Sequence, residues 1–171
     1  MANADPGSSF HIEPLGGKHD RKVFSCGTEA LDRYFHTQAS QDVRKRVAAC
    51  YVLADSNGHV AGYYTLSATS VALMDLPAER AKKLPRYPAI PAILMGRLAV
   101  HIEHRGKRFG ELLLFDAFSR ALRSEIASYA FVVDAKDDAA IAFYERYRFM
   151  RLTSAGRRLF LPIAEIAALF A

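Results

Sequence analysis

Residues 92–122 read AILMGRLAVHIEHRGKRFGELLLFDAFSRAL. An apolar run, AILMGRLAV (92–100), is followed by HRGKRFG (104–110) and then by a helix-like run from Gly110. The short middle segment packs four basic or potentially basic side chains and two glycines into seven positions. A helix N-terminus offers unpaired N–H groups and the positive end of its dipole, and glycine lets the backbone come close to a ligand. The segment therefore reads as an anion-binding turn between a strand and a helix. Next comes YAFVVDA (129–135), nearly all apolar, which suits a strand buried on both faces. Strand, helix and strand from Ala92 to Ala135 predict a right-handed crossover between parallel neighbours.

Outward from this unit the pattern changes. FHIEPL (10–15) reads as a first strand. Thr28 stands where it could cap a helix running to about Arg46, with Leu31, Tyr34, Phe35, Gln38, Ala39, Asp42 and Val43 at helical spacing. VAACYVLAD (47–55) and VAGYYTLSATSV (60–71) read as a hairpin around Asn57-Gly58. Tyr63 and Tyr64 then point to opposite faces. LPAERAKKLPRYPAIP, with four prolines, reads as a short helix between rigid corners. KDDAAIAFYERY (136–147) reads as a helix with Asp137 or Asp138 near its cap. FMRL and RRLFLPI read as late strands joined through TSAG, with a short helix after Ile163. The expected class is α/β in the α+β sense, with a mixed, largely antiparallel central sheet flanked by helices. One domain over 1–171 is expected, with residues 1–9 as a flexible tail.

Composition narrows the class. The chain of 171 residues is 51% hydrophobic and 24% charged, an ordinary globular balance. No stretch has the length of a membrane span, and the N-terminus lacks the pattern of a signal peptide, so a cytoplasmic protein is expected. Cys26 and Cys50 read as two inert thiols, and the six histidines show no metal-ligand spacing. No metal is expected. The net charge is +5, with basic clusters at 21–22, 44–46, 80–86, 105–108 and 157–158. Such charge favours a polyanionic partner; a merely solvated basic surface is the alternative.

Two motifs resemble the GNAT superfamily, acetyltransferases that use acetyl-coenzyme A. Arg105-Gly106-Lys107-Arg108-Phe109-Gly110 resembles the family's turn of Arg or Gln, two residues, Gly, one residue, then Gly or Ala, with Arg108 where the middle glycine is usual. AIAFYERYRF (140–149) resembles Ala-Ile-x-Phe-Tyr-x-x-x-Gly-Phe, with Arg148 at the glycine and Asp137 where an Asn is common. A narrower resemblance spans nearly the whole chain. FSCGTEALDRYFHTQASQD, GYYTLSATSV, LPRYPAIPAILMGRLAV, VVDAKDDAAIAFYERYRF and RLFLP together are similar to GNAT toxins of bacterial toxin–antitoxin pairs. Those enzymes acetylate the α-amino group of aminoacyl-tRNA.

The resemblance implies a GNAT fold, acetyl-coenzyme A as acetyl donor, and aminoacyl-tRNA as substrate. It also implies a small DNA-binding antitoxin of ribbon–helix–helix type as partner, and a homodimer. Residues 105–110 would hold the pyrophosphate through backbone N–H groups, aided by Arg105 and Arg108. Leu98, Ala99 and Val100 would pair with the pantetheine, with the Val100 N–H facing the oxyanion. Asp137 and Phe143 fall in the same cofactor motif. Tyr144 would be the general acid for the departing thiolate; a core aromatic is its rival reading. Arg44, Lys45, Arg46, Lys82, Lys83, Arg86 and Arg97 would meet tRNA phosphates. Two readings stay open for Arg108: a strained left-handed backbone, or an ordinary angle with an added phosphate contact. A small amine or protein lysine as acceptor, and a catalytically impaired coenzyme-A- or antitoxin-binding module, remain the alternatives.

Overall fold

The computed structural model describes residues 9–153 and 156–170. The tail expected over 1–9 lies outside them but for its last residue, and so does the middle of the TSAG turn. The strands are β1 (His11–Pro14), β2 (Ala49–Ala54), β3 (Val60–Ala72), β4 (Ala89–Val100), β5 (Ala130–Asp134), β6 (Met150–Arg151) and β7 (Arg158–Pro162). The helices are α1 (Glu29–Thr37), α2 (Ala39–Arg44), α3 (Ala78–Ala81), α4 (Phe109–Leu122), α5 (Asp138–Arg146) and α6 (Ile163–Leu169). The strands hydrogen-bond in the order β1-β2-β3-β4-β5-β7-β6. β5 runs parallel to β4, with Ala92–Met95 opposite Ala130–Val133, as a crossover through α4 requires. The pairs β1–β2, β2–β3, β5–β7 and β6–β7 are antiparallel. The mixed, largely antiparallel sheet expected from the sequence is thus observed.

The chain forms two compact units, one of residues 1–66 with 97–117, the other of 67–96 with 118–171. The first is built on β1, β2 and the start of β3. Its core centres on Phe24, Phe35 and Tyr63; the last two rings stack 4.4 Å apart. An aromatic pair of this kind adds about 0.5–1.5 kcal/mol beyond area burial. The second unit closes around Val71, Leu76, Ala92, Ala130, Val132, Leu152 and Phe160. β5 reads Ala-Phe-Val-Val-Asp and its first four residues are all buried, which accounts for its lack of alternation.

Two local expectations are corrected. The single helix expected to Arg46 is broken at Gln38 (φ −118°) into α1 and α2. The Thr37 hydroxyl donates to the Arg33 carbonyl at 2.7 Å, a back-bond that bends helices, and the Gln38 amide donates to Asp42 at 2.9 Å. Thr28 takes the N-cap position of α1 without a side-chain cap. Asp32 from the first turn instead accepts from the Cys26 N–H at 2.8 Å. The hairpin turn is as expected: Gly58 has φ 85°, and the Asp55 carboxylate accepts from the N–H groups of Asn57 and His59.

Candidate active site

In the first unit, the end of β4 lies against β3. The His101 N–H donates to the Ala61 carbonyl at 2.8 Å, and a Cβ at Gly62 would come within 2.9 Å of the Ala99 carbonyl oxygen. Strand alternation then turns the N–H groups of Leu98 and Val100 away from β3. The resemblance sets the thioester beside these residues and assigns the Val100 N–H to the oxyanion. Ala99 is buried, while Leu98 and Val100 are half-buried.

The basic turn follows within the same unit. Gly106 and Arg108 have left-handed backbones, with φ 79° and 62°. A Cβ added at Gly106 would meet no atom within 4 Å, so this backbone faces open space. The 14-residue α4 begins at Phe109, and Lys107 and Arg108 are exposed at its N-terminus. The left-handed angle decides between the two readings of Arg108. The turn keeps the geometry suited to glycine and carries an arginine in it, at a steric cost of roughly 1–2 kcal/mol.

Other members of the turn have structural work. The Arg105 guanidinium donates to the Cys26 carbonyl at 2.6 Å and lies over Gly27. Gly27 has φ 87°, and a Cβ there would stand 2.6 Å from Arg105 Nη2. One of the five donors of Arg105 thus ties the turn to residues 26–27. Lys107 Nζ is 3.1 Å from His104 Nδ1. Burial first, and then the Lys107 charge, lower the His104 pKa, so its ring is neutral at pH 7 and accepts from Lys107. His104 packs against Phe10 and Phe109. His101 Nδ1 accepts from the Glu103 N–H at 3.1 Å, and its Nε2 is 3.3 Å from the Val23 carbonyl. Both ring nitrogens are engaged, which disfavours a general-base role.

In the second unit, Asp137 is the N-cap of α5; its Oδ1 accepts from the Ala140 N–H at 2.8 Å. The helix ends in a Schellman motif. The Arg148 N–H donates to the Glu145 carbonyl at 3.0 Å, and the Phe149 N–H to the Tyr144 carbonyl at 3.3 Å. Arg148 holds the left-handed position of that motif, with φ 70°. The Phe149 ring meets the Tyr144 ring edge-on at 5.3 Å, the hydrophobic contact that accompanies such caps. Phe143, half-buried, flanks Tyr144 at 5.2 Å.

The cap therefore fixes the turn that carries Tyr144. Its ring is buried, and burial, with the Asp134 charge behind it, raises the phenol above its ordinary range. Tyr144 keeps its proton throughout the physiological range. Among the described residues its hydroxyl has no hydrogen-bond partner. A protonated phenol with no internal acceptor among the described residues is chemically able to give a proton to a bound group. Tyr63 and Tyr64 differ: both are fully buried, and they donate to the Leu31 carbonyl and to Asp116.

The basic residues divide between the units. Arg44, Lys45 and Arg46 are exposed at the end of α2, where Arg46 (φ 59°) closes a second Schellman motif. In that unit the Arg97 guanidinium lies 3.5 Å over the Tyr34 ring, a cation–π contact at the edge of the core. Lys82, Lys83 and Arg86 are exposed in the other unit. The sequence reading missed Gly27 and Tyr34 as partners of Arg105 and Arg97; only proximity in the fold links them.

Comparison with known proteins adds to this geometry. Residues 20–149 match the acetyltransferase (GNAT) family. The chain is 30% identical over 180 residues to a probable toxin TacT of Sinorhizobium fredii, covering 99% of both. It is 34% identical over 132 residues to a tRNA-acetylating toxin of Mycobacterium tuberculosis, covering 76% of this chain and 78% of that one. The structure resembles AtaT complexed with acetyl-methionyl-tRNAfMet, with TM-score 0.88, 28% identity, and 95% and 100% of the two chains covered. It also resembles an AtaT variant bound to acetyl-CoA and the C-terminus of the antitoxin AtaR, with TM-score 0.82, 25% identity, and 95% and 99% covered.

Proposed function

The chain belongs to the acetyltransferase (GNAT) family, and from that premise we propose that it acetylates the free α-amino group of aminoacyl-tRNA and so blocks translation as a toxin. The observation that carries the reading is the Tyr144 hydroxyl, without a hydrogen-bond partner among the described residues, on a turn fixed by a helix cap. The toxin relatives and the likeness to AtaT on its tRNA support the substrate.

The residues present fit acetyl-coenzyme A. Open backbone at Gly106, exposed Lys107 and Arg108, and the start of α4 suit a pyrophosphate. The N–H group of Leu98 suits an extended amide chain. Bound there, acetyl-coenzyme A supplies an acetyl thioester. The Val100 N–H is assigned to the acetyl oxygen as it gains charge. Tyr144 holds the proton that the departing sulfur takes; a phenol donates to a thiolate only as negative charge accumulates on it. Phe143 packs the ring of Tyr144 in place, and Asp137 starts its helix. Arg105 is a positioning residue that ties the turn to residues 26–27, with donors left for phosphate.

No strong base is needed for this acceptor. An α-amino group titrates at about 7.7–8.0, so part of it is neutral at pH 7. A lysine ε-amine, at about 10.4, would need a base, and the engaged ring nitrogens of His101 disfavour it in that role. Arg44, Lys45, Arg46, Lys82, Lys83 and Arg86 are assigned to tRNA phosphates, and Arg97 is assigned there too, with its guanidinium held over the Tyr34 ring of its own unit. A small DNA-binding antitoxin of ribbon–helix–helix type is the proposed partner, and the cytoplasm, where charged tRNA is used, the proposed location. No helix among the described residues is long and apolar enough to cross a membrane.

The test offers labelled acetyl-coenzyme A with charged tRNA, deacylated tRNA or a lysine-containing peptide. Label on charged tRNA alone is expected. Label on the peptide, with none on charged tRNA, would overturn the substrate.

A further inference from the structure

In the second unit a tyrosine is held out into solvent within a basic segment. Tyr87 is 64% exposed. It stands between Arg86 and Pro88, and its N–H donates to the Pro85 carbonyl at 2.9 Å. The Pro88 carbonyl in turn accepts from the Leu73 N–H at 3.1 Å, which anchors the segment to the end of β3. Proline fixes φ on both sides of the pair Arg86-Tyr87, so the ring is presented from a stiff support. Among the described residues Tyr87 has no ring contact and no side-chain hydrogen bond. Lys82 pairs with Glu79 at 2.9 Å, whereas Lys83 and Arg86 have no ion pair among the described residues.

An isolated exposed apolar ring needs no explanation by itself. A stiffly held ring beside unpaired cations is different, because it matches how proteins hold single-stranded nucleic acid. Bases stack on the aromatic face while lysine and arginine meet the phosphates. A tRNA ends in unpaired nucleotides that carry the aminoacyl group. We propose that Tyr87 is a stacking platform for an unpaired base of that 3′ end, with Arg86 and Lys83 on the adjoining phosphates. The proposal rests on aminoacyl-tRNA being the acceptor. An acidic peptide of a protein partner could use the same cations, but it would have no base to stack.

The test uses the full chain and two hairpin RNAs of one stem sequence, one blunt and one ending in single-stranded ACCA. Binding is measured at fixed salt for the wild type, Tyr87→Ala and Tyr87→Phe. Stacking predicts that Tyr87→Ala weakens binding of the tailed hairpin by about five- to a hundredfold. The blunt hairpin should be unaffected, and Tyr87→Phe should behave as wild type. Equal binding of the tailed hairpin by wild type and Tyr87→Ala would overturn the proposal, as would equal losses on both hairpins. Acetylation of charged tRNA by the wild type, run alongside, separates the two ideas. If that fails, the substrate reading falls as well; if it succeeds while Tyr87→Ala changes nothing, only the stacking role falls. Because Tyr87 is exposed, its variants should unfold at the wild-type temperature.

Discussion

Arg46, Arg108 and Arg148 are the three non-glycine residues with left-handed backbones among the described residues. Two of them stand where the family pattern has glycine. The substitutions were plain in the sequence, but the angles were not, because they follow from a turn and a helix cap that only the fold completes. Arg148→Gly should raise unfolding free energy by about 1 kcal/mol, read from urea denaturation, since glycine takes this angle freely. An unchanged or lower midpoint would mean that the arginine side chain repays its backbone strain. Tyr144 supplies the complementary case. Its hydroxyl has no partner among the described residues, so Tyr144→Phe removes no internal hydrogen bond. Its thermal midpoint should match the wild type. The role proposed for this tyrosine was legible only through the motif, because burial alone would have assigned it to the core.

At the scale of elements, the join between residues 24–27 and 101–105 supports the basic turn. The Ile102 N–H donates to the Ser25 carbonyl at 2.9 Å, and Arg105 donates to Cys26 over Gly27. Gly27→Ala would force a left-handed alanine and push the guanidinium off its carbonyl. A loss of about 1–3 kcal/mol in stability is expected, with weaker acetyl-coenzyme A binding by calorimetry. Wild-type values for both would disconnect the join from the turn. On β1, hydrogen bonds from His19, then Lys18, hold Glu13 at about 2, against burial and below its ordinary 4.5. A carboxyl depressed by folding stabilises the native state above its unfolded pKa, and that contribution fades as pH falls through the folded one. Thermal midpoints should therefore drop between about pH 4.5 and 2 more steeply for wild type than for Glu13→Gln. The strands and the crossover were readable from hydrophobic pattern. The break at Gln38 was not, because Thr37 and Gln38 make it through side-chain bonds that a helical period does not register.

For the whole molecule, the charge of +5 is the property most visible before folding. Its distribution needed the structure: Arg97 is spent on Tyr34, while Lys83 and Arg86 have no ion pair among the described residues. Neutralising phosphates releases counterions, so kcat/KM for tRNA should fall about tenfold or more between about 50 and 200 mM salt. KM for acetyl-coenzyme A should change much less. A flat salt profile would remove the basic surface from substrate binding. The central claim is that Tyr144 is the proton donor of an acetyl transfer to charged tRNA. Its most direct test is the rate of label transfer from acetyl-coenzyme A to charged tRNA, for wild type and Tyr144→Phe side by side. A loss of roughly 10²–10⁴-fold in a folded variant that still binds acetyl-coenzyme A is the predicted result. Equal rates for the two proteins would contradict it.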